Sequence, residues 1–243
     1  MSSSLPPEIL DLIVDHLHDE PTTLKTCCAV SKSWVPRTRR HLFAQVEFDN
    51  SKSQIELWKK GFPDPSNSPA QYTRSLSARG VLLITAGDVD VGSWISAFHN
   101  VVHLLLAYMD RTSLLPFYGL SSTVRSLSLI NVPLDAFDLI CPFPLLEDLA
   151  LVALFTLKHE DRWNAPLTSP KLTGTLDLKM FRRASSVIRR LLVLPGGLHF
   201  SKITMTFPKK DAKSVTDLVS RCSDTLEFLT LSFHPKSAFL QPL

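Results

Sequence analysis

A pair of apolar residues separated by one position recurs along most of the chain, and it constrains the fold more than any other feature. In the clearest copies a third apolar residue precedes the pair, which gives the pattern LxxLxL, and the middle residues lie 22–27 positions apart. These middle residues are Leu104, Leu127, Leu149, Leu176, Ile203 and Leu229, with a weaker copy at Leu76 and Ala78. Because side chains alternate along a strand, each pair faces one side of it, and we expect one β-strand per copy.

The stretches between these pairs are long enough to return the chain to the start of a new, parallel strand. Residues 182–194 and 214–222 have the apolar spacing of amphipathic return helices. Their inner faces consist of Val187, Ile188, Leu191, Leu192, Val215, Leu218 and Val219. Leucine-rich repeats have a period of about 20–29 residues. The pattern therefore predicts an irregular leucine-rich-repeat-like α/β solenoid over residues 44–243, although an ordinary α/β core would use the same leucines.

The two ends of this region carry weaker signals. Residues 44–48 alternate between apolar and polar side chains, which predicts a short strand. Residues 61–69 are rich in Pro, Ser and Asn and mark the clearest boundary between domains or repeats. The last copy of the pattern comes close to the end of the sequence without a clear polar cap, which indicates a truncated or unusually short repeat array.

Residues 1–43 follow a helical pattern instead. Pro6 and Pro7 suit the first turn of a helix, where the backbone amides have no intrahelical partner. Apolar residues then recur at spacings of three and four, which predicts one apolar stripe on a helix over about residues 6–18. The stripe consists of Ile9, Leu10, Ile13, Val14 and Leu17.

Two further short helices are expected before residue 43. Pro21 is placed to begin the second helix, and Ser31 is placed to cap the third. Pro36 follows Trp34 so closely that the third helix either kinks or begins near Val35. Three helices this short cannot bury so much apolar surface alone. They either dock onto a partner protein or form a helical cap on the rest of the chain.

The string LPPEILDLIVDHLHDEPTTLKTCCAVSKSWVPRTRRHLF resembles an F-box, and its last part looks like the F-boxes of fungal proteins. The family pattern begins with LP-x-E-[IL]-[IL] and ends with V-[SC]-[KR]-x-W. Matching positions are Leu5, Pro6, Glu8, Ile9, Leu10, Ile13, Leu17, Leu24, Val30, Ser31, Lys32 and Trp34. The resemblance covers about forty residues at the N-terminus.

The resemblance implies a substrate receptor of an SCF ubiquitin ligase, acting in ubiquitin-dependent protein degradation. Residues 1–43 would dock onto the Skp adaptor and, through it, join the cullin and RING subunits, while residues 44–243 would bind a target protein. The adaptor-binding residues it implies, as contacts or as core residues of the module, are Leu5, Pro6, Pro7, Ile9, Leu10, Ile13, Leu24, Val30 and Trp34. An F-box or repeat-type scaffold that acts outside ubiquitin ligation is the alternative.

Target binding is expected on the strands of the repeat region, at positions between the leucines. Those positions point away from the core, so they are available to a partner. The candidate substrate-binding residues are Ser126, Ser128, Asp148 and Thr230.

The sequence contains no motif for catalysis. It has no GxGxxG, GxxxxGK, GxSxG or HExxH. His16 and His18 fall on different faces of their helix, so they do not form a metal site. The cysteines Cys27, Cys28, Cys141 and Cys222 contain no CxxC pair, which indicates reduced thiols. We expect no enzyme, no cofactor and no metal.

Charge and hydropathy limit the classes of protein to which the chain can belong. Hydrophobic residues make up 44% of the chain and the net charge is +3, which indicates a folded protein without general affinity for nucleic acid. The sequence has no signal peptide and no run of about 18 apolar residues. A cytoplasmic or nuclear protein that does not enter a membrane is therefore expected.

Two basic clusters could recognise an acidic partner or a phosphorylated target, although a solvated helix face explains either one. The first adjoins the F-box-like segment and consists of Lys32, Arg37, Arg39 and Arg40. The second surrounds the return helices and consists of Arg182, Arg183, Arg189, Arg190, Lys209, Lys210 and Lys213.

Overall fold

A computed structural model of the protein describes residues 6–49, 52–80, 90–133, 140–155, 168–180 and 184–233. Leu5, Arg182 and Arg183, which carry sequence predictions, lie outside the described residues. Within these ranges the chain is a mixed α/β structure of eight α-helices and eight β-strands. The helices are α1 (Pro7–His16), α2 (Pro21–Val30), α3 (Val35–Leu42), α4 (Lys52–Gly61), α5 (Asp90–Ser96), α6 (Arg111–Leu114), α7 (Ala184–Leu192) and α8 (Ala212–Arg221). The strands are β1 (Gln45–Phe48), β2 (Ser75–Arg79), β3 (His103–Ala107), β4 (Ser126–Ile130), β5 (Asp148–Val152), β6 (Thr175–Lys179), β7 (Lys202–Phe207) and β8 (Phe228–Phe233).

The N-terminal helices α1 to α3, which we call the head, begin where their prolines predict. α2 begins at Pro21, and α3 begins at Val35 with Pro36 in its first turn, so the expected late start is correct and no kink is needed. The predicted cap is wrong, because Trp34 precedes α3 and no side chain caps it. The Ser31 hydroxyl instead pairs with the Ser33 hydroxyl at 2.8 Å.

The eight strands form one sheet in the order β1 to β8, and every neighbouring pair is parallel. Each repeated apolar pair lies on a strand, as predicted. The register places the pairs directly beside one another, for example Leu104 beside Leu127 and Leu127 beside Leu149. These leucines are at most 2% exposed from β3 to β6, so one continuous row of side chains forms the core side of the sheet. We call the opposite side of the strands the open face.

A shared hydrogen-bond arrangement starts several strands. The amides of Val102 and His103 both donate to Arg74 O, at 2.9 and 3.0 Å. The amides of Arg125 and Ser126 both donate to Val102 O at the same two distances. Two successive amides thus converge on one carbonyl of the preceding repeat, which sets the register before the first leucine of the strand is reached.

The strands also end alike. Tyr108, Asn131 and Ala153 follow β3, β4 and β5 with positive φ angles of 57°, 51° and 52°. Each donates its amide to the last carbonyl of the next strand, as Asn131 N does to Val152 O at 2.8 Å. This left-handed residue turns the chain out of the sheet. None of the three is glycine, so each adopts a conformation that is unfavourable for a residue with a side chain.

The connecting segments supply the rest of the core. On α7, Val187, Ile188 and Leu191 are fully buried, and Val215 and Leu218 are buried on α8, so both predicted return helices are confirmed with their inner faces. Leu192 and Val219 are only partly buried. Large aromatic side chains fill the space between strands and connections at Phe98, Phe117, Phe143 and Phe200.

An aromatic cluster joins the head to the sheet. Phe43, directly after α3, packs edge-on against Trp58 of α4 and against Phe62, with ring centroids 5.8 Å apart in both pairs. Trp58 also contacts Phe48 of β1 at 5.7 Å and Phe98 at 5.5 Å. Because β1 starts three residues after α3 ends, the head is packed directly against the first strand of the sheet.

The last strand differs from the others because its core side is not covered within the described part of the chain. Leu229 and Leu231 are 44% exposed and Phe233 is 53% exposed, whereas their neighbours Ile203 and Met205 on β7 are fully buried. All six residues of β8 are exposed. The row of buried leucines therefore ends at an open apolar edge.

None of the helices in the described ranges is long and apolar enough to cross a membrane.

Replacing Leu127 with alanine is expected to lower the free energy of unfolding by about 3 kcal/mol, because its side chain is fully buried in the row between Leu104 and Leu149. The control is Ser128→Ala on the open face, which should cost less than about 0.5 kcal/mol. Urea denaturation followed by circular dichroism measures both. Equal losses would contradict a core confined to the leucine side of the sheet.

Candidate docking surfaces

Helix α1 carries one broad apolar surface, of which only part is packed inside the protein. Leu10, Val14 and Leu17 point inward, and Val14 is 1% exposed. Ile9 and Ile13 lie one turn apart at the edge of this surface and are 42% and 40% exposed. The stripe expected from the sequence is therefore divided along its length: the edge with Val14 is packed inside, and the edge with Ile9 and Ile13 is exposed.

The exposed side of α1 is larger than the sequence analysis expected. Leu12 is 55% exposed and adjoins Ile9 at a spacing of three residues, although it lies outside the predicted apolar stripe. Its apolar character beside Ile13 was the signal that could have identified it. The helix is preceded by the exposed Pro6 and begins with the exposed Pro7. We call this set the α1 surface: Pro6, Pro7, Ile9, Leu12 and Ile13.

The remaining implied adaptor-binding residues have different environments. Val30, the last residue of α2, is 67% exposed and is free to contact a partner. Trp34 is half-buried, and the buried Thr38 hydroxyl donates to its carbonyl at 2.7 Å. Leu24 is 1% exposed, so it belongs to the interior of the head.

An ion-pair clamp holds α1 against α3. Arg37 donates from Nε to Asp15 Oδ1 at 2.6 Å and from Nη2 to Asp15 Oδ2. The His41 Nε2 lies 2.7 Å from Asp15 Oδ1. The hydrogen bond from Arg37, followed by that from His41, holds the pKa of the Asp15 carboxyl well below its ordinary value of 3.8. Arg37 therefore acts inside the head, and only Lys32, Arg39 and Arg40 of that basic cluster are exposed.

The candidate substrate-binding residues all lie on the open face, but they do not form one site. Ser126 and Asp148 are directly paired across β4 and β5, and Ser128 is two residues along β4. Thr230 lies on β8, three strands away from β5, which is about 14 Å at the usual strand spacing. The structure brings the first three together and separates the fourth.

Asp148 has a structural role as well. Its Oδ1 accepts the amide of Thr175 at 2.6 Å, which ties β5 to the start of β6. A Cβ atom on Gly174 would lie 2.3 Å from the same oxygen, so only glycine allows this close approach. One carboxylate oxygen is therefore used by the fold.

Charged side chains on the open face are mostly paired with neighbours. Arg79 contacts Glu47 at 3.0 Å across β1 and β2, and Lys179 contacts Asp177 at 2.7 Å on β6. The second oxygen of Asp177, Oδ1, is buried without a hydrogen-bond partner. This leaves a face of small hydroxyl and alkyl side chains, suited to broad contact with a protein surface.

A polar depression of about 470 Å³ lies at the amino ends of β6 to β8. Its lining consists of Lys171, Thr173, His199, Ser201, Asp224, Thr225, Leu226 and Glu227. No sequence pattern marks this depression, because its residues come from three separate connections. It offers hydrogen-bonding side chains with positive and with negative charge.

The described residues contain no group of three or more His, Cys, Asp or Glu side chains that could hold a metal ion. The cysteines are free thiols, and burial raises the pKa of Cys222. A protonated, buried thiol is a poor nucleophile.

Comparison with known proteins finds no match: no protein-family model matches the chain, and neither does a curated protein or a solved structure.

Replacing Asp148 with alanine is expected to lower the free energy of unfolding by about 1–2 kcal/mol, because the amide of Thr175 loses its acceptor. Asp148→Asn keeps an oxygen at this position and should cost less. The paired Ser126→Ala is the matched control and should cost under about 0.5 kcal/mol. Chemical denaturation measures all three. A neutral Asp148→Ala would contradict the structural role.

A low pH is expected to destabilise the head, because the Asp15 carboxylate becomes protonated. Because its pKa is lower in the folded chain, its contribution to stability is complete above 3.8 and is lost as the pH falls below that value. Asp15→Asn should lower the melting temperature at neutral pH and flatten its decrease under acid. The control is Asp217→Asn on α8, which should retain the wild-type profile. If the melting temperature of Asp15→Asn depends on pH as that of the wild type does, Asp15 does not stabilise the contact between α1 and α3.

Proposed function

We propose that this protein is a substrate receptor of an SCF-type ubiquitin ligase. In this proposal residues 1–43 are a three-helix F-box that binds the Skp adaptor, which connects the chain to cullin and RING subunits. Residues 44–243 are a leucine-rich-repeat-like solenoid that binds a target protein. The protein catalyses nothing itself, carries no cofactor and acts in the cytoplasm or nucleus.

The observation that carries the proposal is the exposed apolar side of the head. Ile9, Leu12 and Ile13 are 40–55% exposed on α1 although Val14 and Leu24 already close the interior of the head. Apolar side chains concentrated on one side of a short helix indicate a protein contact. The resemblance of residues 5–43 to the F-box supports the Skp adaptor as that contact.

The packing between head and sheet supports a positioning role. The rings of Phe43 and Phe48 both contact Trp58 across the junction. A target bound on the sheet would therefore be held at a limited set of distances from the adaptor. Holding two reactants on one assembly gives an effective concentration in the millimolar range, which favours transfer of ubiquitin to a target lysine.

The sequential parallel sheet supports the solenoid assignment for the body. Each strand pairs with its neighbours in sequence, and the apolar pairs stack in register. Stacked repeats of this kind present a broad surface of outward-facing side chains. We propose the open face around Ser126, Ser128 and Asp148 as the target-binding region, with Thr230 in a separate contact.

Ile9→Asp is expected to weaken binding to the purified Skp adaptor by about 10- to 100-fold, because a charge replaces an apolar side chain at the contact. Leu12→Asp, at a position that the family pattern does not include, should have a similar effect. The control is Leu57→Asp, an equally apolar side chain that is 65% exposed on α4. Calorimetric titration of the full chain measures binding.

Other outcomes separate the alternatives. If the wild-type chain does not bind the adaptor, the head is a helical cap and the proposal is wrong. If it binds, but a reconstituted ligase modifies no protein that the body captures, the chain is a scaffold outside ubiquitin ligation. Melting temperatures of all variants test whether the changes leave the fold intact.

A further inference from the structure

The polar depression at the amino ends of β6 to β8 contains charged side chains of both signs on different connections. Lys171 and His199 come from the connections that lead into β6 and β7. Asp224 and Glu227 come from the connection that leads into β8. Because neighbouring strands lie about 5 Å apart, the connections that carry Lys171 and Glu227 are about 10 Å apart. The depression therefore has a basic end and an acidic end.

Backbone hydrogen bonds hold these three connections together. The amide of His199 donates to Leu172 O at 2.8 Å, and the amide of Glu227 donates to Ser201 O at 2.8 Å. The His199 ring also lies against Gly197, where an added Cβ atom would come within 3.2 Å of Nε2. The walls of the depression are therefore formed before a partner binds, which lowers the entropic cost of binding.

The charges of the depression are not used by internal ion pairs. Within the described ranges, no ion pair involves Lys171, Asp224 or Glu227. The exposed Lys202 and Arg221 flank the acidic end without pairing with it. Because these two cations balance the two carboxylates, a ligand that carries a carboxylate of its own is not repelled from the depression.

The composition of the lining favours a polypeptide as the ligand. Leu226 is the one apolar side chain among the eight described residues that line the depression, whereas sites for small organic ligands are mostly apolar. A nucleic acid would place its phosphates against Asp224 and Glu227. A polypeptide carries charges of both signs, and its amides can donate to the hydroxyls of Ser201 and Thr225, whose own protons are donated to backbone carbonyls.

We propose that the polar depression binds an extended segment of another protein that carries a carboxylate side chain and, two residues away, a lysine or arginine. In an extended chain these two side chains project to one side and lie about 7 Å apart. That spacing falls between the one-strand separation of His199 and the two-strand separation of Lys171 from the acidic end. The carboxylate contacts Lys171 and His199, and the cation contacts Asp224 and Glu227. Neither the head nor the open face takes part, so the site is independent of the proposed ligase function.

Titration of the full chain with a synthetic peptide tests the proposal. The probe is a short peptide of glycine and serine, blocked at both ends, with one glutamate and one lysine two positions apart. It is expected to shift the backbone amide NMR signals of Thr173, Ser201 and Glu227 with a dissociation constant of about 1 mM or below. Glu227→Lys should weaken binding by about tenfold, because the lysine of the probe then meets a like charge. The matched control is Asp217→Lys, an equally exposed change of charge on α8, which should leave binding unchanged.

A charge exchange separates a specific contact from general attraction. A probe with a second glutamate in place of its lysine should bind Glu227→Lys more tightly than it binds the wild-type chain. Ile9→Asp in the head should bind the original probe as the wild type does. The proposal is overturned if a probe with glutamine at both charged positions binds equally well, or if Glu227→Lys and Asp217→Lys have the same effect. A wild-type chain whose signals do not shift at about 10 mM probe overturns it as well.

Discussion

The structure depends on the parallel register that stacks one apolar pair on the next. At several strand starts two successive amides converge on one carbonyl of the preceding repeat, as those of Val102 and His103 do on Arg74 O, so the register is set there. Leucine then lies beside leucine from strand to strand, and the connections can pack on one side only. A shift by one residue would expose the whole row, because side chains alternate along a strand.

The same register determines which apolar side chains the first and the last strand of the sheet present at its two ends. At the first strand, the rings around Trp58 fill the space between the head and β1, so the head is held in contact with the sheet. At the last strand, the same row of leucines ends exposed at Leu229 and Leu231. A parallel sheet built by sequential addition must cover, pair or expose its last strand, since a strand edge cannot satisfy its own backbone groups.

The head has a well-packed interior, but apolar side chains remain exposed on its outer side. Asp15 joins α1 to α3 through Arg37 and His41, and Val14 and Leu24 close the space between the helices. The apolar residues left on the outside of α1 are therefore not needed for the packing of the head. This division makes docking and folding separable properties, because a substitution on the outer side leaves the inner contacts in place.

Much of the fold was predictable from sequence, and less of the candidate surfaces was. Strands followed from the alternation of apolar residues, and the starts of α2 and α3 followed from Pro21 and Pro36, because both signals are local. The helical spacing of apolar residues marks Ile9 and Ile13 on the outer side of α1, but it does not include Leu12. Only the tertiary structure decided that Asp148 binds an amide 27 residues away and that Asp15 pairs with Arg37 22 residues away. These roles depend on which segments meet in space, and a sequence pattern records only the order of residues along the chain.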